Sequence, residues 1–319
     1  MSFSLTMLNL WIGMCRGVVG LPRDLKSLGY QEKGIEYRFV NQDLEEVVPD
    51  LMLASEQMRH TLLLEWKSGA NTEADQLRRY SRVNQKDLQT KAFISPSAAR
   101  SHDVTVVGRD EHADRLRMGL DAGGYAFPLL LADGEGLALS HNQFQIHQVT
   151  NLFSPRLSIN WDRVASLFVP LDGDSALWEV AEVLAPKILH YMSERRPQVA
   201  LEQICADICN TWGIMGQPAK EALRRRVRKV LSLAARQHFR AYLRWVGDVG
   251  RIEIVANPLD LEPDKRTVAY RKLKTVQKKF IEGLSTGRAT DSGEQLELHL
   301  DSTNIGTDDA GTGGARRQR

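Results

Sequence analysis

The stretches Val47-Val48-Pro49-Asp50-Leu51-Met52-Leu53 and Leu62-Leu63-Leu64-Glu65-Trp66-Lys67 decide how this chain is read. Both are apolar runs of strand length. In an extended strand successive side chains alternate between faces, so Glu65 and Lys67 point one way and Trp66 the other. If the two runs are neighbouring strands of a hairpin, Asp50 comes alongside Glu65 and two carboxylates converge on one point. Hard cations such as Mg²⁺ are held by one or two carboxylates together with water and phosphate oxygens. An ion so held acidifies a bound water and stabilises the attacking and leaving oxygens of a phosphoryl displacement, and a nearby lysine offsets charge on the phosphorane. These residue types at this spacing point to metal-dependent phosphodiester hydrolysis.

The order Pro-Asp, fourteen residues, then Glu-x-Lys after an apolar strand resembles the PD-(D/E)xK nuclease superfamily, the restriction-endonuclease-like fold. Beyond Gly69, the run Glu73-Ala74-Asp75-Gln76-Leu77-Arg78-Arg79-Tyr80 is similar to the Gln-x-x-x-Tyr element of RecB-type members. There the helix after the third strand brings Gln and Tyr to the active site, and Gln76 and Tyr80, at i and i+4, share a helix face. The resemblance implies that Asp50, Glu65 and the backbone carbonyl of Trp66 are metal ligands for Mg²⁺ or Mn²⁺. It also implies that Lys67 is the catalytic lysine, with Gln76 and Tyr80 beside it, and it suggests bacterial defence or DNA processing as the setting. One departure stands out: many relatives add a glutamate from the first helix, whereas the first 23 residues here contain neither Asp nor Glu. Asp24, Glu32 and Glu36 are the replacements on offer, and Glu36 lies in Ile35–Val40, which reads as an alternating strand. The bland alternative, a strand with a solvated charged end, leaves Asp50, Gln76 and Tyr80 unexplained.

Strand and helix patterns alternate through residue 150. Val104–Val107 reads as a strand, Glu111–Leu120 as a helix closed by Gly123-Gly124, Tyr125–Leu131 as a strand, and Leu137–Leu139 as its return after an Asp-Gly-Glu-Gly turn. The expected fold class is therefore α/β, with a mixed sheet of restriction-endonuclease type over residues 1–155.

From 156 to 284 the pattern becomes mainly helical. Trp178–Ser193 is helical, with Pro186 either kinking it or starting a second helix. Leu201, Ile204, Cys205, Ile208 and Trp212 form one apolar stripe, and Leu223, Val227, Val230, Leu231 and Ala234 form another. Arg224, Arg225, Arg228, Lys229 and Arg236 lie mostly off the second stripe. A β-hairpin follows around Gly247–Gly250. Helix, helix, turn, basic helix, hairpin resembles the winged helix-turn-helix in arrangement. That resemblance implies that the helix over about 218–237 enters a major groove and that the five basic residues contact nucleic acid. From 285 to 319, Ser, Thr, Gly and Asp dominate without periodicity, and a disordered tail is expected.

A net charge of +2 hides an asymmetry: Lys220–Lys279 holds 17 basic and 6 acidic residues. The partner expected of that half is a polyanion, DNA ahead of RNA. Three cysteines, Cys15, Cys205 and Cys209, form no disulfide framework and suit a reducing cytoplasm. No apolar run reaches the ~20 residues that span a bilayer, so no membrane partner is expected. The apolar run from Met7 to Cys15 reads as a packed first helix. The sequence is compatible with a homodimer and with a subunit of a larger complex. The competing functional class is a non-catalytic DNA-binding regulator or complex subunit that uses a nuclease-like scaffold.

Overall fold

The structure, a computed structural model, describes residues 2–164 and 168–287. Ser2 opens helix α1 (Phe3–Arg16) by accepting the Leu5 amide on its hydroxyl at 3.1 Å, and Gly17 closes it at φ 68°. Positions 7–15 are all buried, so α1 is the packed first helix that its apolar run predicted. A short helix α2 (Asp24–Ser27) leads to β1 (Gln31–Ile35), the small ribbon β2 (Phe39–Val40) and β3 (Glu46–Val47), and then β4 (Leu51–Ser55) and β5 (His60–Lys67). Helices α3 (Ala74–Ser81) and α4 (Gln85–Thr90) precede β6 (Ser101–Arg109), α5 (Ala113–Ala122), β7 (Leu129–Ala132), β8 (Gly136–His141), α6 (His147–Phe153) and β9 (Leu157–Ser158).

Seven of these strands form one mixed sheet in the order β1-β4-β5-β6-β7-β8-β9. The pairs β5/β6 and β6/β7 are parallel and the remainder antiparallel. The α/β class is thus observed. Alternation sorts the faces as expected. Leu51, Leu53, Leu62, Leu64 and Trp66 join the core around α1, whereas Met52, Ala54 and Leu63 pack with Tyr80 and Leu88 of α3 and α4. Trp66 lies 6.4 Å from Trp11 of α1, ring centre to ring centre.

Three strand expectations need correction. Residues 47–53 are not one strand: Val47 belongs to β3, and β4 begins only at Leu51. Nor is 35–40 a strand, because the chain turns at Glu36, whose φ of 46° breaks extension between β1 and β2. The strand expected from Tyr125 also begins later, at Leu129, with the rings of Tyr125 and Phe127 stacked 5.3 Å apart ahead of it.

The second half comprises α7 (Leu177–Ser193), β10 (Gln198–Ala200), α8 (Leu201–Ile208), α9 (Gln217–Arg236), β11 (Leu243–Val246), β12 (Arg251–Ile254) and α10 (Pro263–Ser285). Pro186 sits inside an unbroken α7. The three short strands form a second sheet, order β10-β12-β11, in which the hairpin is joined by a strand the sequence did not announce. The boundary expected at 155/156 falls just ahead of β9, which still pairs with β8. One apolar core runs across it, from Leu10 and Trp11 to Leu223 and Val227. Ser285 is the last residue of α10, and the remainder of the expected tail, from 288, lies outside the described residues.

Two contacts fix how the halves meet. Buried Asn9 of α1 accepts the amides of Phe168 and Val169 on Oδ1 and donates to the Val169 carbonyl, so the connecting chain is pinned across α1. The turn before α9 docks on the end of β1, where the Gly216 amide donates to the Ile35 carbonyl at 2.6 Å. A Cβ at Gly216 would lie 1.9 Å from the Glu36 carbonyl oxygen, so only glycine permits this approach.

Candidate active site

The register Leu51↔Leu64 sets Asp50, one residue ahead of β4, opposite Glu65. Asp50 Oδ2 accepts the Trp66 backbone amide at 2.6 Å, which fixes that carboxylate against the strand. Gln76 and Tyr80 project from successive turns of α3 onto the same face. Gln76 Nε2 donates to Glu65 Oε1 at 2.9 Å, and Gln76 Oε1 accepts from Lys67 Nζ at 2.5 Å. Lys67 Nζ also lies 3.1 Å from Glu65 Oε1. The Tyr80 hydroxyl lies 2.7 Å from Glu65 Oε2 and 2.8 Å from the Val48 carbonyl oxygen. Asp50, Glu65, Lys67, Gln76 and Tyr80 are therefore brought to one place.

Burial makes this arrangement costly unless it is well paired. Glu65 is 6% exposed, Lys67 8% and Tyr80 1%. Desolvation pushes the Asp50 carboxyl well above the ordinary carboxylate range; the neighbouring Glu65 charge adds to this, and the Trp66 amide partly opposes it. Burial and Glu65 likewise raise the Tyr80 phenol. Glu36 is the acid the sequence could not place. The turn at φ 46° carries it to the same edge, where burial and the charges of Asp172, Asp174 and Glu65 raise its carboxyl. Its carboxylate finds no hydrogen-bond donor among the described residues. Asp24 and Glu32, the other two replacements considered, do not figure among the charges acting on Asp50, whereas Glu36 does.

Asp50 and Glu65 thus meet beside one ammonium, and the charge of Glu36 acts on Asp50 from farther off. The donor set is all oxygen, and its excess negative charge is what a hard divalent cation would relieve, so the residues fit Mg²⁺ or Mn²⁺. Among the described residues, no three His, Cys, Asp or Glu side chains are grouped closely enough to hold a metal ion. The direct protein ligands would then be Asp50, Glu65 and the Trp66 carbonyl, with water completing the shell.

Asp172 and Asp174 carried no sequence signal, since their approach to Glu36 depends on the pinned connecting chain. Asp172 caps its own turn through Ser175 Oγ at 2.9 Å and accepts from Ser2 Oγ at 2.8 Å.

The basic residues of α9 divide by environment. Arg225, Arg228 and Arg236 are exposed. Arg224 is engaged with Glu202 through Nε at 2.7 Å and Nη2 at 3.0 Å, and its guanidinium lies 5.3 Å from the centre of the Trp212 ring. Lys229 is half-buried and has a partner. Arg226 was passed over in the sequence; its Nε donates to the Gly173 carbonyl at 2.7 Å and ties α9 to the loop carrying Asp172 and Asp174.

All three cysteines are buried and free, and among the described residues no helix is long and apolar enough to cross a membrane. Residues 4–165, half of the chain, match the family model of the MJECL32 domain. No curated protein and no solved structure matches the chain.

Proposed function

We propose that this chain, which belongs to the MJECL32 domain family, is a divalent-metal-dependent deoxyribonuclease of PD-(D/E)xK type whose basic second half delivers it to DNA. The observation that carries the reading is the closed set of contacts among Glu65, Lys67, Gln76 and Tyr80 beside Asp50. The residue order and the resemblance it carries suggested these five residues, and the fold gathers them on one sheet edge.

Each residue has a task in that reading. Asp50 and Glu65 present oxygen ligands, and the Trp66 amide and the Tyr80 hydroxyl fix how those oxygens point. Gln76 bridges Glu65 and Lys67, which keeps the ammonium from collapsing fully onto the carboxylate. Lys67 brings a positive donor to the phosphate, where negative charge grows as water attacks phosphorus and the bond to the leaving oxygen breaks. A cation bound by the carboxylates supplies an acidified water and neutralises phosphate charge. Glu36 extends the negative field without occupying either strand position.

The second half supports delivery. The order α7, β10, α8, α9, β11, β12, with strands arranged β10-β12-β11, resembles that of a winged helix-turn-helix and supports this reading. In that reading Arg225, Arg228 and Arg236 on α9 face phosphate. Gly216 roots α9 beside Glu36, and at ~1.5 Å per residue Arg225 stands on the order of 15 Å from the acidic edge, within reach of one bound duplex.

A scaffold without catalysis draws on one observation: both Glu65 oxygens are already satisfied by protein donors. Incubating purified protein with plasmid, linear duplex, single-stranded DNA and RNA in Mg²⁺, Mn²⁺, Ca²⁺ or EDTA separates the two. The nuclease reading expects cleavage in Mg²⁺ or Mn²⁺ and none in EDTA or with Lys67→Ala. Binding without cleavage in every metal would favour the regulator.

A further inference from the structure

A second feature at the same sheet edge has no part in the site above. Beyond the carboxyl ends of β6 and β7 lies a cavity of about 460 Å³, walled by Phe3 and Thr6 of α1, by Arg109 and by Trp161, with Asp110 and Glu111 at its rim. Lys67 pairs with Gly108 in the parallel β5/β6 register, so Arg109 is the next residue beyond the candidate active site. Alternation sends it to the other face, the α1 side, together with its partner Ala132. The carboxylate centre and the cavity therefore sit on the two faces of one strand-end edge. The crevice outside the carboxyl ends of parallel strands is where open α/β sheets take ligands.

We propose that this cavity, walled by Phe3, Arg109 and Trp161, binds one unpaired nucleobase of the substrate strand next to the scissile phosphate. The inference rests on the nuclease reading for the identity of the strand. Its chemistry comes from the cavity. The Arg109 guanidinium lies over the Phe3 ring at 5.2 Å from its centre, and its side chain is 47% exposed. That pair leaves a guanidinium plane available for a base to stack on, in the manner of aromatic and arginine platforms for single strands. Trp161 Nε1 is buried and meets no hydrogen-bond partner among the described residues. That nitrogen has no surface open to the cavity, so what Trp161 gives the site is the wall of its ring. Asp110 and Glu111 are acceptors that suit an exocyclic amine and repel a phosphate, which favours a base over the backbone as occupant. The volume suits one nucleotide and not a duplex.

The test is fluorescence anisotropy of a fluorescein-labelled 12-nucleotide single strand of mixed sequence, and of its blunt duplex, in EDTA so that neither is cut. Arg109→Ala should weaken single-strand binding by about 5- to 150-fold, the range spanned by loss of one stacked base, and leave duplex affinity within about twofold. Arg109→Lys keeps the charge and removes the guanidinium plane; it should cost single-strand affinity about fivefold or more, the lower end of losing one stacked base. Millimolar dCMP should compete for the single strand, and equal inorganic phosphate should not. Circular dichroism accompanies each variant, and Arg109→Lys decides the matter if Arg109→Ala does not fold. Unchanged single-strand affinity in a folded variant, or competition by phosphate equal to that by dCMP, overturns the proposal. A protein that shows the expected binding losses but cuts nothing in Mg²⁺ or Mn²⁺ overturns the nuclease reading and leaves the base site standing. One that cuts, with wild-type single-strand affinity in both variants, does the reverse.

Discussion

The edge where β4 begins and β5 ends and the outer face of α9 handle charge in opposite ways. At the edge, Glu65 and Lys67 are shielded from water and paired with each other, with half-buried Asp50 beside them, and like charges face each other at the expense of stability. On α9, Arg225 and Arg228 stand in solvent, while Arg224 is held by Glu202 and Arg226 by the Gly173 carbonyl. Buried charge that opposes folding needs a reason to persist, and a reaction supplies one. Solvated charge costs the fold little and is suited to long-range attraction of a polyanion. Under the proposed function the first region does chemistry and the second captures DNA, and each can be broken separately.

The largest effect is expected at the edge. Lys67→Ala or Glu65→Gln should reduce metal-dependent cleavage by about 10³-fold or more, the scale of losing a preorganised charge that acts on the transition state. Duplex affinity measured in Ca²⁺ should change by less than about threefold, because binding is assigned to α9. Lys67→Ala also leaves buried Glu65 with one donor fewer, so circular dichroism belongs beside the rate. Retention of most of the rate in a folded variant would remove chemistry from this region and dissolve the contrast.

Next in size is Arg225→Ala with Arg228→Ala. Each lost phosphate contact lowers the slope of log K against log salt by roughly 0.9, so the pair should lower it by about 1.8 and weaken duplex binding by on the order of tenfold or more at low salt. Cleavage at saturating enzyme should survive, and the melting temperature should hold within about a degree, since exposed substitutions stay within about 0.5 kcal/mol. Wild-type affinity and slope would transfer residues 177–254 to a protein-interaction role.

Much of this was legible because it is local. Strand alternation put Glu65 and Lys67 on one face, the i, i+4 spacing put Gln76 and Tyr80 on another, only the resemblance to a Gln-x-x-x-Tyr element linked the two pairs, and the hairpin register delivered Asp50. The extent of α9 followed from its apolar stripe, although helix period alone could not separate engaged Arg224 from free Arg225, because Glu202 lies on another helix. Glu36 was hidden by its own neighbours: Ile35, Tyr37 and Phe39 alternate as a strand does, and only the docked Gly216 turn and the positive φ reveal the bend. Strand β10 is three residues long, and its existence depends on β12, some fifty residues away, for pairing. The Phe3–Arg109–Trp161 cavity joins three distant segments, and no spacing rule connects them.

A third test concerns stability. In the folded protein Asp50 holds its proton more tightly than an unfolded chain, whose aspartate titrates near 3.8. The unfolded state therefore binds fewer protons between that value and the raised folded one, and stability falls as pH climbs through this window. Asp50→Asn removes that fall, so the variant should melt higher than wild type at neutral pH, with the advantage shrinking toward pH 4. Mg²⁺ should reverse the order by stabilising wild type, by roughly 2.7 kcal/mol at a hundred times the dissociation constant, and not the variant. A melting temperature for Asp50→Asn below wild type at neutral pH in EDTA would mean that the edge is not electrostatically opposed to folding.

The smallest effect is the sharpest test of the division within α9. Arg224 is adjacent to Arg225 in sequence yet belongs to the fold: it forks onto Glu202 and stacks on Trp212, with its side chain 26% exposed. A partly exposed pair of this kind contributes at most about 1 kcal/mol after solvent screening, and the cation–π contact adds about 0.5–1 kcal/mol. Arg224→Ala should therefore lower stability by roughly 1 kcal/mol while leaving duplex affinity and salt slope close to wild type, the reverse of Arg225→Ala. The hydrogen bonds from Arg224 also hold the Glu202 carboxyl below its ordinary 4.5. This contribution is complete above that value and is lost as pH falls through the lower folded one, so the two proteins should converge in stability in acid. A double-mutant cycle with Glu202→Ala isolates the pair, because removing either partner should remove most of what removing both does. If Arg224→Ala instead lost as much DNA affinity as Arg225→Ala with no change in melting, the Glu202 contact would be one that Arg224 abandons for phosphate, and capture would extend around the helix to a face the fold was taken to own.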